Sequence, residues 1–158
     1  MRVGVVSVGR PRGVIAEAIA AYEKRLAHYF TFAAIEVREE PFRPSGGAAL
    51  VREEEGARLL ARVPAGCEMI ALEETGRKWS SVELATHLAE APGRGSHGAV
   101  FLVGGAYGLS DAVLSAASHR LSLSAMTLPH ELARLVLTEQ LYRAGTLSRG
   151  EPYHKGRE

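Results

Sequence analysis

Five short apolar runs, at 2–8, 31–38, 69–73, 99–103 and 121–124, alternate with segments of helical spacing, and no other feature restricts the fold as much. Short runs rich in β-branched and apolar residues, bounded by glycine or polar turns, are strand signals. Between them, 14–28 carries Ile15, Ala18, Ile19, Tyr22 and Leu26 at helical spacing, and 48–62 is charged outside with Leu50, Val51, Leu59 and Leu60 inside. A third helix, 81–89, begins behind Ser80, a residue suited to cap it. Strands separated by helical crossovers pair in parallel, so the expectation is an α/β domain with helices packed on a parallel sheet. The chain has 158 residues, enough for one such domain spanning 1–158 with one real core. The stretch 41–47, PFRPSGG, reads as a mobile surface loop, not a linker, because the segment before it is too short to fold alone.

Charge bounds the partners. The formal net charge is +1, so the field of the whole protein cannot hold a long polyanion, and any nucleic-acid contact must be local. Basic residues gather near the two ends: Arg2, Arg10 and Arg12 at one, Arg143, Arg149, His154, Lys155 and Arg157 at the other. The single cysteine, Cys67, excludes an internal disulfide and a multi-cysteine zinc site; it reads as a small hydrophobe before a strand. The apolar stretches 99–103 and 135–137 are far too short to span a bilayer, and Met1-Arg2-Val3 runs straight into a strand. The expectation is a cytoplasmic protein with no leader, no membrane and no metal.

Three strand ends could carry a ligand. The run 99–103 empties into Gly104-Gly105-Ala106-Tyr107-Gly108-Leu109-Ser110, with Ser110 placed to cap a following helix. Glycines there allow close approach to the backbone, and ligands of parallel α/β proteins sit at the carboxyl ends of strands. The spacing is neither the dinucleotide fingerprint nor a phosphate loop, and a purely structural turn is equally open. The second end, Leu72-Glu73-Glu74-Thr75-Gly76-Arg77, reads by itself as an exposed polar turn. The third, Leu123 to His130, passes through small residues into a helix, which suits a pocket whose main-chain groups hold a mostly neutral ligand such as an adenosine.

The last helix, 131–148, has apolar residues on more than one face: Leu132, Leu135, Val136, Leu137, Leu141 and Tyr142. It is expected to be covered on two sides, by its own sheet and by a second subunit. Glu139 and Arg143, four residues apart, continue one apolar face, as a structural ion pair or as part of a site. His130 stands at the helix start, and the tail Glu151-Pro152-Tyr153-His154-Lys155 has no aliphatic anchor, as in a frayed terminus.

Taken in order, VGVVSVGR, LEETGRKWSS, LVGGAYGLS, LSLSAMTLPHELARLVLTEQLYRA and RGEPYHK resemble the RlmH family over essentially the whole chain. These are bacterial methyltransferases that modify N3 of a pseudouridine in 23S ribosomal RNA. The resemblance implies the SPOUT fold, a parallel α/β sheet whose C-terminal part is tied into a deep trefoil knot, which ordinary connection rules would argue against. It implies a homodimer packed through the knotted region, acting on the assembled ribosome. It also implies S-adenosylmethionine bound against Leu72, Gly104, Leu123, Ser124, Ala125, Met126, Thr127 and Leu128. Catalytic positions carried over from the family are Glu139, Arg143, Tyr153 and His154, and substrate-binding positions are His130, Arg134 and Tyr142.

On this reading the reaction is an in-line displacement at the methyl of a sulfonium, with the ring nitrogen losing its proton, and no metal is required. Holding the two reacting atoms about 3 to 3.5 Å apart would supply most of the catalysis. Arg134 and Arg143 are expected at the RNA, and the tail of one subunit is expected to close over the cofactor of the other. Two rivals stand beside this: a related methyltransferase of another RNA base, and a non-catalytic ribosome-binding protein.

Overall fold

The computed structural model describes residues 1–153. The five runs are strands β1 (Arg2–Val8), β2 (Thr31–Val37), β3 (Cys67–Lys78), β4 (Gly98–Val103) and β5 (His119–Ser122). They form one sheet in the order β2-β1-β4-β3-β5, parallel at every pairing. All of β4 is buried, and so is β1 after Arg2. These central strands are covered on both faces, which is why both read as continuous apolar runs and not as alternating ones.

Alternate residues of each strand serve two cores. On one face Val3, Val5, Ile70 and Phe101 pack with Leu26, Leu84, Leu88, Leu137 and Leu141. These come from α1 (Gly13–Leu26), α3 (Ser81–Glu90) and α5 (His130–Ser148). On the other face Val6, Val8, Val100 and Leu102 pack with Leu59 and Val113, from α2 (Gly47–Leu60) and α4 (Asp111–Ala116). Cys67, at the start of β3, packs on this second core. Helix starts follow their local chemistry: Ser80 and Glu83 form a reciprocal capping box, and the Ser110 hydroxyl accepts from the Val113 amide at 3.2 Å.

Two strands depart from the sequence expectation. β3 does not stop at residue 73: Leu72 and Arg77 both register with Leu121, so the polar turn bulges out and the strand resumes through Lys78. Gly76 permits this, because a Cβ there would lie 2.6 Å from the Arg120 carbonyl oxygen. β5 begins and ends two residues earlier than expected, which leaves 123–129 as loop. No helix among the described residues is long and apolar enough to cross a membrane.

Candidate functional site

A cavity of about 920 Å³ opens at the carboxyl ends of β3, β4 and β5. Leu72, Glu73 and Glu74 form one wall, Gly104 to Leu109 a second, and the loop after β5 a third, with His130 and Ala133 of α5 and Arg52 of α2 at the margins. The glycine wall is a tight reversal: Gly105 and Gly108 pair as an isolated bridge, and a Cβ on Gly104 would lie 2.8 Å from the Gly108 carbonyl carbon. Gly108 itself has φ +83°, a conformation that favours glycine.

The third wall is held by its own small side chains. Ser122 donates its hydroxyl to the Ser124 carbonyl at 2.9 Å, and the Ser124 hydroxyl accepts from the Met126 amide at 3.0 Å. Thr127 donates to the Glu74 carboxylate at 2.8 Å, which ties this loop to the bulge of β3. Seven of the eight residues expected at the cofactor line this one cavity: Leu72, Gly104, Leu123, Ser124, Met126, Thr127 and Leu128. Ala125 lies on the same loop but is exposed and outside the lining. His130, expected at the substrate, lines the cavity as well.

The other polar residues gather elsewhere. Glu139 accepts from Arg143 at 2.5 Å, from Gln140 at 2.7 Å and from the Tyr153 hydroxyl at 3.1 Å. The Arg143 guanidinium lies over the Tyr153 ring at 5.0 Å, and the rings of Tyr142 and Tyr153 meet edge to face at 4.6 Å. The hydrogen bond to Glu139 pushes the Arg143 pKa up. Burial, then the neighbouring Tyr22 and Glu139, push that of Tyr153 up. The tail therefore docks as far as Tyr153 on its own helix, and Tyr29 anchors it by donating to the Glu151 carboxylate. That bond pushes the Tyr29 pKa up to about 12. His154 lies outside the described residues.

Arg134 requires a correction. It was expected at the RNA, but it is only 4% exposed and reaches back under α5. Its guanidinium donates to Glu23 at 3.0 Å, to Glu36 at 3.0 Å and to the Ser7 hydroxyl at 3.2 Å. A guanidinium enclosed by two carboxylates joins α5 to α1, β1 and β2 and offers no face to a phosphate.

Sequence reasoning missed Glu55. It is 3% exposed, and one carboxylate oxygen has no hydrogen-bond partner among the described residues. The signal was present: Glu55 stands midway between Val51 and Leu59 at four-residue steps, on the inward face of its helix.

Residues 1–154 match the family described as "Predicted SPOUT methyltransferase". The "Ribosomal RNA large subunit methyltransferase H" of Gemmatimonas aurantiaca is 49% identical over 156 residues, covering 98% of this chain and 100% of its own. The "Putative ribosomal RNA large subunit methyltransferase H" of Methanoregula boonei is 42% identical over 159 residues, with 98% and 100% covered. Among solved structures, TrmJ from Z. mobilis ZM4 superposes with a TM-score of 0.50 at 14% identity, covering 98% of this chain and 72% of that one, a likeness of fold.

Proposed function

Because this chain belongs to the SPOUT methyltransferase family, we propose that it transfers a methyl group from S-adenosylmethionine to N3 of a pseudouridine in 23S ribosomal RNA. The observation that carries the reading is the convergence of Leu72, Gly104 and the 123–128 loop, far apart in sequence, on one cavity. The cavity fits the donor. Its volume of about 920 Å³ is large enough for a nucleoside with an amino-acid arm, and its walls offer apolar surface and main-chain groups for an adenosyl moiety. The donor supplies an electrophilic methyl on a sulfonium; the chain supplies position. The 104–108 reversal shapes the glycine wall and the Thr127–Glu74 tie joins the other two, and these residues would hold the donor and orient its methyl toward the base.

The polar set is divided within one chain. Glu139 lies nine residues beyond His130 on α5 and Arg143 thirteen, which is about 13 and 20 Å along the axis at 1.5 Å per residue. Tyr142, Arg143 and Tyr153 therefore do not reach the cavity beside His130. A homodimer resolves this. Leu132, Leu135 and Val136 remain only half-buried on α5, and a second copy packed there would bring the cluster and tail of one protomer to the cavity of the other. On this reading Glu139, Arg143, Tyr153 and His154 act in trans on the base, His130 and Tyr142 contact the substrate, and the segments around the cavity form the trefoil knot. The enzyme works in the cytoplasm on the assembled ribosome, where a small net charge suffices because the substrate is read by shape.

The deciding experiment is mass spectrometry of 23S ribosomal RNA from cells with and without this protein. Loss of one methyl group from a pseudouridine is expected. Loss from another base or from a transfer RNA would move the substrate assignment, and an unchanged methylation pattern would leave only a binding role.

A further inference from the structure

Glu55 sits behind the glycine wall of the cavity. Its Oε2 accepts the Glu40 amide at 3.1 Å, while Oε1 has no hydrogen-bond partner among the described residues. A Cβ built on Gly105 would lie 3.0 Å from Oε1 and 3.2 Å from Oε2, so the carboxylate occupies the space beside a cavity-lining residue that only glycine leaves open. Gly105 in turn lines the cavity, so the carboxylate lies behind that wall. The charged groups that act on it most strongly are Glu39, Arg58 and His130. Arg58 is engaged by Glu40 and the Arg38 carbonyl, Glu39 repels, and His130 borders the same cavity.

A buried carboxylate with one free oxygen and no cation in contact is costly, and burial is the largest cause pushing its pKa up. Such a group is tolerated more easily if the cavity it faces is filled by a cation. The proposed donor is one. When the methyl leaves, the C–S bond breaks, its electron pair stays on sulfur, and the remaining thioether is neutral there.

We infer that Glu55 is the buried counter-charge of the cofactor cavity, favouring the sulfonium-bearing donor over the neutral thioether product through the Gly105 backbone. The inference rests on the methyltransferase reading and adds to it a residue that discriminates cofactor from spent cofactor. Glu55 acts at a distance, as a positioning and selecting charge, and touches neither reactant. The attraction disappears with the sulfonium charge, so it tightens donor binding and eases release of the product.

The test is calorimetric titration of S-adenosylmethionine, S-adenosylhomocysteine and the amine-bearing analogue sinefungin into the wild-type protein, Glu55→Gln and Glu55→Asp. The amide is isosteric and can keep the Glu40 hydrogen bond, and melting curves establish that each variant folds. With an effective dielectric near 20, loss of one charge behind the cavity wall should make Glu55→Gln weaken both cationic ligands on the order of tenfold. S-adenosylhomocysteine binding should change by less than about twofold, and Glu55→Asp should keep most of the preference. Equal weakening of all three ligands, or no change in any, would overturn the inference while leaving the methyltransferase reading intact. A wild-type protein that binds none of the three would overturn that reading and the inference with it.

Discussion

Replacing Arg134 by methionine separates the two roles an arginine on this helix could have. The guanidinium side chain is 5% exposed, and its partners Glu23 and Glu36 keep 22% and 30% of theirs. Removing one member of a buried pair typically costs about 3–5 kcal/mol, because the partner charge is stranded. Here both carboxylates retain a path to water, and the Arg134 Nε is already without a partner, so the cost falls to about 2 kcal/mol. For a chain of this length that lowers Tm by about 4–8 °C. The assay is thermal unfolding, with donor affinity measured by calorimetry and ribosome binding by sedimentation. The expected result is a lower Tm with both affinities within about twofold of wild type when measured well below it. Adding Glu23→Gln and Glu36→Gln should recover part of the loss, since no buried charge is then stranded. A Tm unchanged by Arg134→Met, combined with weakened ribosome binding, would refute the buried-network account and return Arg134 to the RNA.

Three further outcomes follow from other contacts. Ser80→Ala removes the hydroxyl that accepts the Glu83 amide while leaving the backbone half of the α3 capping box, and thermal or denaturant unfolding should register a loss of about 1 kcal/mol. Gly145→Ala would put a Cβ 2.6 Å from the Tyr29 ring; despite the better helix former, a net loss of about 1–2 kcal/mol is expected, and an increase in Tm would contradict the close packing. Around Glu68, burial raises its pKa but hydrogen bonds from Arg94 and His87 outweigh it, and His119 is lowered by burial and by His87. Glu68 therefore contributes stability that is complete above the ordinary value of 4.5 and lost as pH falls below it. The neutral His119 of the folded state loses ground as pH falls below 6.5, because the unfolded chain binds that proton first. Tm should decline on acidification, and His119→Asn should flatten the decline between 6.5 and 4.5.

The alternation of strands and helices was legible because central parallel strands must be apolar on both faces, and β1 and β4 fall within a residue of the runs read from sequence. The three corners of the cavity were legible as glycine and small-residue stretches at strand ends. The resumption of β3 was not, since Arg77 and Lys78 owe their strand conformation to pairing with β5 and not to any periodicity of their own. Arg134 was misread for a related reason. The family resemblance placed it at the substrate, and only the approach of α1 and β2, which its own helix does not announce, supplies two carboxylates to enclose it. Glu55 was passed over because a helix with three consecutive glutamates reads as a solvated face, although Val51 and Leu59 assign one of the three to the interior.

These corrections bear on how α5 is used. The helix enters at the cavity with His130, is pinned near its first turns by Arg134 to Glu23 and Glu36, and is pinned again near its end by Gly145 against Tyr29. Tyr29 in turn holds Glu151, so the tail is directed onto Glu139 and Arg143 at the far end of the same helix. A helix fixed at both ends cannot bend by the 13 Å or so that would carry Glu139 to the cavity. The chain thus holds the cavity and the Glu139 cluster apart. If both belong to one reaction, the shortest route between them runs through the half-buried Leu132, Leu135 and Val136 face, across which a second α5 would set each tail against the opposite cavity. A charge introduced at Leu135, as Leu135→Glu, should then yield a monomer that still binds the donor and has lost methyl transfer, whereas a fully active monomer would mean that one chain closes its own site.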